Sequence, residues 1–137
     1  MSERDDFLEW VGTRLRDAEV ALHNGDADPR RVIWSATDPV TIFGAWRAAN
    51  GPAEAREVFG RLEENFADCT SYTLEVISAD VSGDLAYTVG YEHTADSWQG
   101  EPQKYTLRVT QLYRREQGEW KVFHRHADTV QTIDSSA

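Results

Sequence analysis

The spacing of apolar residues in this sequence changes near position 70, and this change limits the folds that the chain can adopt. Before that position, apolar residues recur every three or four residues, which is typical of helices that bury one face. After it, apolar and polar residues alternate over long stretches, which is typical of strands with one buried face. Helices followed by a run of strands indicate an α+β fold rather than a wound parallel sheet.

Three helices and a short strand are predicted in the first half of the chain, at residues 3–23, about 28–35, 40–43 (the strand) and about 51–67. The first helix ends at Asn24-Gly25, because glycine readily adopts the left-handed backbone that stops a helix. The second begins with Asp28-Pro29, where proline suits the first helical position.

Four strands are predicted after the helices, at residues 71–80, 85–95, 103–115 and 119–128. Short segments that contain glycine join the first strand to the second and the third to the fourth, as antiparallel hairpins require. Because two of these strands are long, the sheet must twist and curl. Helices laid across its concave side would enclose a pocket. We expect one domain over residues 1–137, with residues 129–137 as a loosely held tail.

The composition excludes several classes of function. Asp and Glu outnumber Lys and Arg by 24 to 14, so the net charge of −10 disfavours nucleic acid and anionic membranes as partners. The apolar runs are also far shorter than the ~20 residues that cross a bilayer. Cys69 is the only cysteine, which excludes an intrachain disulfide. The N-terminal segment is acidic and has no signal-peptide core. Together with the single cysteine, this predicts a cytoplasmic location.

The last predicted strand carries the first group of candidate catalytic residues. Strand alternation places Val122, His124, His126 and Asp128 on one face and Arg125 on the other, and a β-bulge would swap these faces. The two imidazoles and the carboxylate would exchange protons with a substrate, or would be structural groups satisfied by hydrogen bonds. The same residues, with His93, also fit a metal site. No further His or Cys cluster completes it, so no metal is predicted.

Glu92 and Arg108 form the second candidate catalytic group. Both lie within predicted strands, where an isolated charge is costly, so we expect them to pair with each other. As a functional pair, Arg108 would hold a substrate oxyanion while Glu92 takes a proton. As a structural pair, which is the more common case, the two would only neutralise each other.

Aromatic residues are the candidates for a pocket wall. The predicted ligand-binding residues are five aromatic side chains and one threonine beside Arg108: Trp34, Phe43, Trp46, Phe59, Tyr72 and Thr110. Such a set suits a flat or cyclic apolar molecule, or forms an ordinary core. Trp98, in a predicted loop at residues 97–102, is expected to act as a lid or to cover the sheet edge.

Three stretches resemble a known family: Asp38–Gly44, Gly83–Tyr87 and Leu107–Asp128, the last with the turn Arg115-Glu116-Gln117-Gly118-Glu119-Trp120. They are similar to SnoaL-like and ketosteroid-isomerase-like proteins of the nuclear-transport-factor-2-like superfamily. The resemblance implies a cone-shaped α+β barrel, with three N-terminal helices packed on a strongly curved, mixed but mainly antiparallel sheet. It also implies a homodimer through the outer sheet face and chemistry without a metal or organic cofactor.

Two functions follow from that resemblance, because the superfamily contains both enzymes and non-catalytic modules. One is acid/base chemistry, of the isomerase, cyclase or dehydratase type, on a hydrophobic carbonyl or cyclic small molecule. It would use Glu92, Arg108, His124, His126 and Asp128. The alternative is a ligand-binding or dimerisation module in which the same groups are structural. It is supported by the lack of a catalytic dyad that maps from those enzymes onto this chain.

Overall fold

The computed structural model describes residues 2–130. In chain order its elements are α1 (Glu3–Trp10), a π-helical segment (Val11–Leu15), α2 (Arg16–Leu22), α3 (Asp28–Ile33), β1 (Thr41–Phe43), β2 (Ala48–Asn50), α4 (Pro52–Asn65), β3 (Phe66–Ser82), β4 (Leu85–Trp98), β5 (Glu101–Glu116) and β6 (Glu119–Thr129). The first three follow one another without a break and act as one long helix. The predicted order of three helices and then long strands is therefore confirmed.

All six strands belong to one mixed sheet in the order β2-β1-β6-β5-β4-β3. β1 runs parallel to β6, and every other neighbouring pair is antiparallel. The sheet curls but does not close, because β2 and β3 do not pair with each other. The predicted α+β fold with a curved, mainly antiparallel sheet is confirmed.

The first helix packs on the face of the sheet that we call the inner face. Its apolar stripe is buried as the spacing predicts, and comprises Phe7, Val11, Leu15, Ala18 and Leu22. The ring of Phe7 lies edge-on to Tyr113 at 4.9 Å and to Trp120 at 5.2 Å. Among the described residues, no helix is both long and apolar enough to cross a membrane.

Several predicted element boundaries are wrong. β3 begins at Phe66 rather than at residue 71, and β2 was not predicted. Trp98 ends β4 rather than lying in a long loop, because Gln99 and Gly100 have positive φ angles of 52° and 83° and make a two-residue turn. Thr129 belongs to β6, and the Val130 N–H donates to the Thr106 carbonyl at 3.1 Å, so neither residue is loosely held. The rest of the predicted tail, residues 131–137, lies outside the described residues.

A β-bulge in β6 decides which side chains face the helices. Tyr113 of β5 pairs with Val122, whereas the preceding Leu112 pairs with His124, so β6 has one extra residue at Phe123. A one-residue slip exchanges the two faces of every position beyond it. Val122 is buried before the bulge, and Arg125 is buried after it. The simple alternation that put Val122 and His124 on one face is therefore wrong.

Candidate active site

A cavity of about 360 Å³ lies between the inner face of the sheet and α4. Its volume falls within the 300–1,000 Å³ that is usual for small-molecule sites. The wall is mainly apolar, and includes Ile42, Val58, Leu62, Phe66, Leu107 and Ala127. Trp46 is 47% exposed and also lines the cavity, so we place the mouth there.

Arg125 of β6 lines the cavity floor and forms a buried ion pair with Glu92 of β4. Nη1 of Arg125 donates to Oε2 of Glu92 at 2.9 Å, and Nη2 donates to Oε1 at 2.6 Å. The Tyr72 hydroxyl donates to the same carboxylate at 2.8 Å. Burial alone would raise the pKa of Glu92, but the charge and hydrogen bonds of Arg125 outweigh it and hold that pKa well below its usual range. Glu92 is therefore an ionised partner of Arg125.

Arg125 keeps two N–H groups for a ligand. A guanidinium has five N–H donors. Nη1 uses both of its own on Glu92 and on Oε1 of Gln111, which lies at 3.1 Å, and Nη2 uses one on Glu92. Within residues 2–130, nothing accepts from Nε–H or from the second Nη2–H. Because Arg125 lines the cavity, these donors can reach an oxygen atom of a bound molecule.

His23 lies in the same cavity with its tautomer defined. It is the residue at the end of α2, and its Nδ1 is 2.6 Å from the Glu19 carbonyl oxygen. A carbonyl oxygen only accepts, so Nδ1 carries the proton and Nε2 of the neutral ring has a free lone pair. The ring packs 4.4 Å from Phe66 and 5.7 Å from Tyr72, measured between centroids. The cavity therefore contains a proton acceptor near the Glu92–Arg125 pair.

A second buried ion pair holds the segment that carries His23. Arg30 of α3 donates from Nη2 to both carboxylate oxygens of Glu19, at 2.7 and 2.6 Å. Its guanidinium also lies 5.3 Å from the Phe59 ring centroid. Because Glu19 supplies the carbonyl that orients His23, this pair ties the imidazole to α3.

A buried carboxylate supports the wall formed by β4 and β5. Asp96 accepts from the Gln103 amide and the Tyr105 hydroxyl, both at 2.8 Å. Burial raises the pKa of Tyr105, and its bond to Asp96 raises it further, so the hydroxyl stays protonated. Gln103 and Tyr105 line the cavity, and they separate Asp96 from it.

The predicted pairing of Glu92 with Arg108 is wrong. Glu92 lies opposite Leu107 in the sheet, so Arg108, one residue further, points to the outer face. There it donates from Nε and Nη2 to Asp128, at 3.0 and 2.5 Å. Of the five predicted catalytic residues, Glu92 alone belongs to the buried network.

The two histidines of β6 also lie on the outer face. His124 Nδ1 is 2.7 Å from the Thr41 hydroxyl, and the Phe43 ring lies edge-on to His124 and His126 at 5.7 and 5.9 Å. A catalytic role for these histidines, or for Arg108 and Asp128, stays a prediction, and it concerns a surface remote from the cavity wall.

The predicted ligand-binding residues are spread over three environments. Trp46 lines the cavity, and its ring lies 5.3 Å from Trp98, which also lines it. Trp34 and Phe59 pack on each other at 5.2 Å in the core, and Tyr72 holds Glu92. Phe43 and Thr110 do not line the cavity, contrary to expectation: Ile42 takes the inward position in β1, and Thr110 borders an outer groove.

One cluster among the described residues has the spacing of a metal site, and it comprises Asp26, Asp28 and Glu63. Glu63 already accepts from Arg31 at 2.7 Å and from the Ala27 N–H at 2.9 Å. Arg31 also donates to Asp28 at 2.6 Å, so a protein cation already binds two of the three carboxylates.

Sequence reasoning missed His23 and Arg125 as members of the site. The available signal for His23 was its place directly before the Asn24-Gly25 helix stop, where a side chain can turn back towards the sheet. Arg125 was assigned to the face opposite the histidines, and identifying that face as the cavity floor required the bulge at Phe123.

A family model described as a SnoaL-like domain matches residues 11–130. A candidate dehydratase of the nuclear transport factor 2-like family from Streptomyces avermitilis has a similar structure, with a TM-score of 0.78 and 21% identity over 93% of this chain and 99% of that chain. A candidate calcium/calmodulin-dependent protein kinase type II association domain from Thiobacillus denitrificans superposes with a TM-score of 0.73 and 18% identity, over 90% and 94% of the two chains. No curated protein matches.

A nuclear transport factor 2-like superfamily protein from Salmonella enterica also superposes, with a TM-score of 0.73 and 14% identity over 96% of this chain and 94% of that chain. Identities this low show a shared fold and leave the reaction open. The match over residues 11–130 shows that the chain belongs to the SnoaL-like domain family of the nuclear transport factor 2-like superfamily, which contains isomerases, cyclases and dehydratases.

Proposed function

We propose that this protein is an enzyme that moves a proton on a hydrophobic carbonyl or cyclic compound, using its own side chains as acid and base. One observation carries the proposal: an apolar cavity holds both a proton acceptor, Nε2 of His23, and a guanidinium with unused donors, Arg125. The reaction class is that of an isomerase, cyclase or dehydratase, in which removal of a proton from carbon begins the reaction.

His23 acts as the base. Its Nε2 takes the proton from the carbon next to the substrate carbonyl, and the Glu19 carbonyl accepts a hydrogen bond from the other nitrogen throughout. The resulting imidazolium returns the proton to another atom of the same molecule. The acceptor is a second carbon in an isomerisation, or a leaving hydroxyl group in a dehydration.

Arg125 stabilises the negative oxygen that forms when the proton leaves. Its two unused N–H groups donate to that oxygen, and Glu92 fixes the guanidinium plane from the opposite side. Because the wall is largely apolar, the attraction between the oxyanion and the guanidinium is stronger than in water.

Deuterium exchange tests this proposal without knowledge of the natural substrate. The protein is incubated in D₂O with a panel of cyclic ketones such as 2-tetralone, and exchange at the α-carbon is followed by NMR. We expect His23→Gln to slow exchange about 10²–10⁴-fold, the usual contribution of a general base. His126→Gln on the outer face is the matched control and should exchange at the original rate.

Two results would contradict the assignment. Exchange that survives His23→Gln but is lost in His126→Gln would transfer the chemistry to the outer face. Binding of the ketones, seen as a rise in melting temperature, with no exchange of any of them would favour the non-catalytic binding module. That alternative is supported by one feature: the Glu92 carboxylate already accepts hydrogen bonds from Arg125 and Tyr72, as a purely structural group would.

We also propose that the outer sheet face binds a second copy of the chain. Exposed Ile77 and Val89 border a groove on that face, together with the Arg108–Asp128 pair. Apolar side chains beside an internally neutralised ion pair suit a self-complementary interface. Sedimentation equilibrium should show a dimer that Val89→Asp dissociates, and a wild-type monomer at high concentration would contradict the proposal.

A further inference from the structure

Three arginines line the cavity, and they differ in how their charge is balanced. Arg30 is paired with Glu19 and Arg125 with Glu92, and both pairs are buried. The third, Arg47, is exposed and has no carboxylate within salt-bridge distance anywhere in residues 2–130. The cavity mouth therefore has a cation with no carboxylate of residues 2–130 beside it.

The backbone that carries Arg47 is held in place. Arg47 lies in the turn between β1 and β2, where the Gly44 N–H donates to its carbonyl at 3.0 Å. A side chain at Gly44 would come within 2.7 Å of that same carbonyl oxygen, so the tight turn requires glycine. The turn therefore fixes the position of the Arg47 backbone at the cavity mouth.

Aromatic rings lead from Arg47 into the cavity. Its guanidinium lies 4.5 Å from the ring centroid of Trp46, which packs 5.3 Å from Trp98. Trp98 in turn packs 4.9 Å from Phe66. Stacking on Trp46 orients the planar guanidinium and leaves its edge donors free for a carboxylate, which accepts two parallel hydrogen bonds.

The carboxylate of Asp96, behind the same wall, does not pair with the guanidinium of Arg47. Asp96 has no cation partner among the described residues, but both its oxygens are occupied by Gln103 and Tyr105. These two side chains line the cavity and Asp96 does not. In a protein with a net charge of −10, an unpaired arginine at the mouth also gives an anion a local point of attraction.

We propose that the ligand is a flat or cyclic organic acid whose carboxylate binds Arg47 at the mouth. Its ring lies along Trp46 and Trp98, which directs the opposite end towards Arg125 and His23. Which end of the ligand reacts, at Arg125 and His23, rests on the proposed function. The preference for an anion is independent of that function, because it depends on Arg47 alone.

Two fluorescent dyes with the same aromatic body test this preference. 8-Anilino-1-naphthalenesulfonate carries one negative charge, and N-phenyl-1-naphthylamine is its neutral counterpart. We expect the anionic dye to bind wild-type protein about two- to fivefold more tightly, the range of a partly exposed charge pair. Arg47→Met should remove this difference by weakening the anionic dye alone, and 1 M NaCl should reduce it in wild-type protein.

Arg56→Met is the matched control, because Arg56 is an exposed arginine of α4 that does not line the cavity. It should retain the full preference, and both variants should melt at the wild-type temperature. Equal affinity of the two dyes, equal losses in the two variants, or no binding of either dye would overturn the proposal. Equal affinity would leave the deuterium-exchange test of His23 unaffected. Conversely, loss of the exchange chemistry with the dye preference intact would overturn the proposed function alone.

Discussion

Two arginine–carboxylate pairs lie on opposite faces of the same sheet and have nearly the same geometry. On the inner face, the side chains of Arg125 and Glu92 are 8% and 3% exposed, with a shortest N–O distance of 2.6 Å. On the outer face, those of Arg108 and Asp128 are 61% and 50% exposed, with a shortest distance of 2.5 Å. Distance therefore does not distinguish the pairs, whereas access to water does.

Burial changes what each pair contributes. Both inner charges are largely shielded from water, so each depends on the other for its stability in the core. The outer charges are hydrated and screened by salt, so the loss of one has little effect on the other. A substitution in the inner pair should therefore affect both stability and chemistry. The same substitution in the outer pair shows how much of the effect on stability is due to burial.

The largest expected effect is on stability. Glu92→Gln keeps the shape of the side chain but leaves the Arg125 charge uncompensated, which should lower the free energy of unfolding by about 3–5 kcal/mol. Asp128→Asn makes the same change on the outer face and, compared in the Val89→Asp background that keeps the chain monomeric, should leave the urea midpoint unchanged. Equal shifts in the two variants would show that water reaches the inner pair.

Replacing both inner partners separates stability from chemistry. The double variant Glu92→Leu with Arg125→Met removes both charges, so it should recover most of the stability that either single change loses. Urea denaturation of the two single variants and the double variant gives the coupling energy. The double variant should remain unable to exchange deuterium, because the oxyanion then has no donor. If the double variant folds and also exchanges deuterium, Arg125 does not stabilise the oxyanion.

The inner pair should also control stability in acid. Because Arg125 keeps the pKa of Glu92 below its ordinary value near 4.5, the unfolded chain takes up a proton at a higher pH than the folded protein. The stability due to Glu92 is therefore complete above pH 4.5 and is lost as the pH falls towards the folded-state pKa. Urea midpoints measured from pH 6 to 3 should fall more steeply for wild-type protein than for Glu92→Gln.

Asp128→Asn provides the outer-face control for this experiment. Its slope should follow that of wild-type protein closely, although the hydrogen bond from Arg108 also lowers the pKa of Asp128. That side chain is half exposed, so water screens its interaction with Arg108, and the pKa difference between the folded and unfolded chain is smaller than for Glu92. Matching slopes for wild-type protein and Glu92→Gln would contradict an ionised, buried Glu92.

The two pairs also show how far a sequence can predict this molecule. The change in apolar spacing was sufficient to predict the fold class. Each of the two spacings is repeated over many residues, so an exception at one position does not change the prediction. The site depended on one residue in β6, where Val122 and Phe123 are both apolar and either one fits an inward position. Such a run conceals a bulge from a period-two pattern, so alternation separated Arg125 from the histidines but did not show which of these two faces the helices cover.

His23 illustrates a second limit. Its role depends on a 2.6 Å contact with a backbone carbonyl and on packing against Phe66, more than 40 positions away in the chain. The spacing of side chains within one element contains no information on either contact. By contrast, Trp46 and Phe43 were both predicted for the pocket, and strand alternation in β1 alone was sufficient to separate Phe43 from it.

The smallest expected effect concerns His124 on the outer face. Partial burial lowers its pKa below the usual 6.5, the nearby His126 lowers it further, and the contact with Thr41 only partly offsets this. An NMR titration should therefore give His124 a pKa below 6.5, and His126→Gln should raise it, whereas the control His93→Gln should not. A His124 pKa at or above 6.5 would contradict this environment. A neutral His124 at pH 7 adds no charge to the outer face, which favours contact with a second copy over proton transfer.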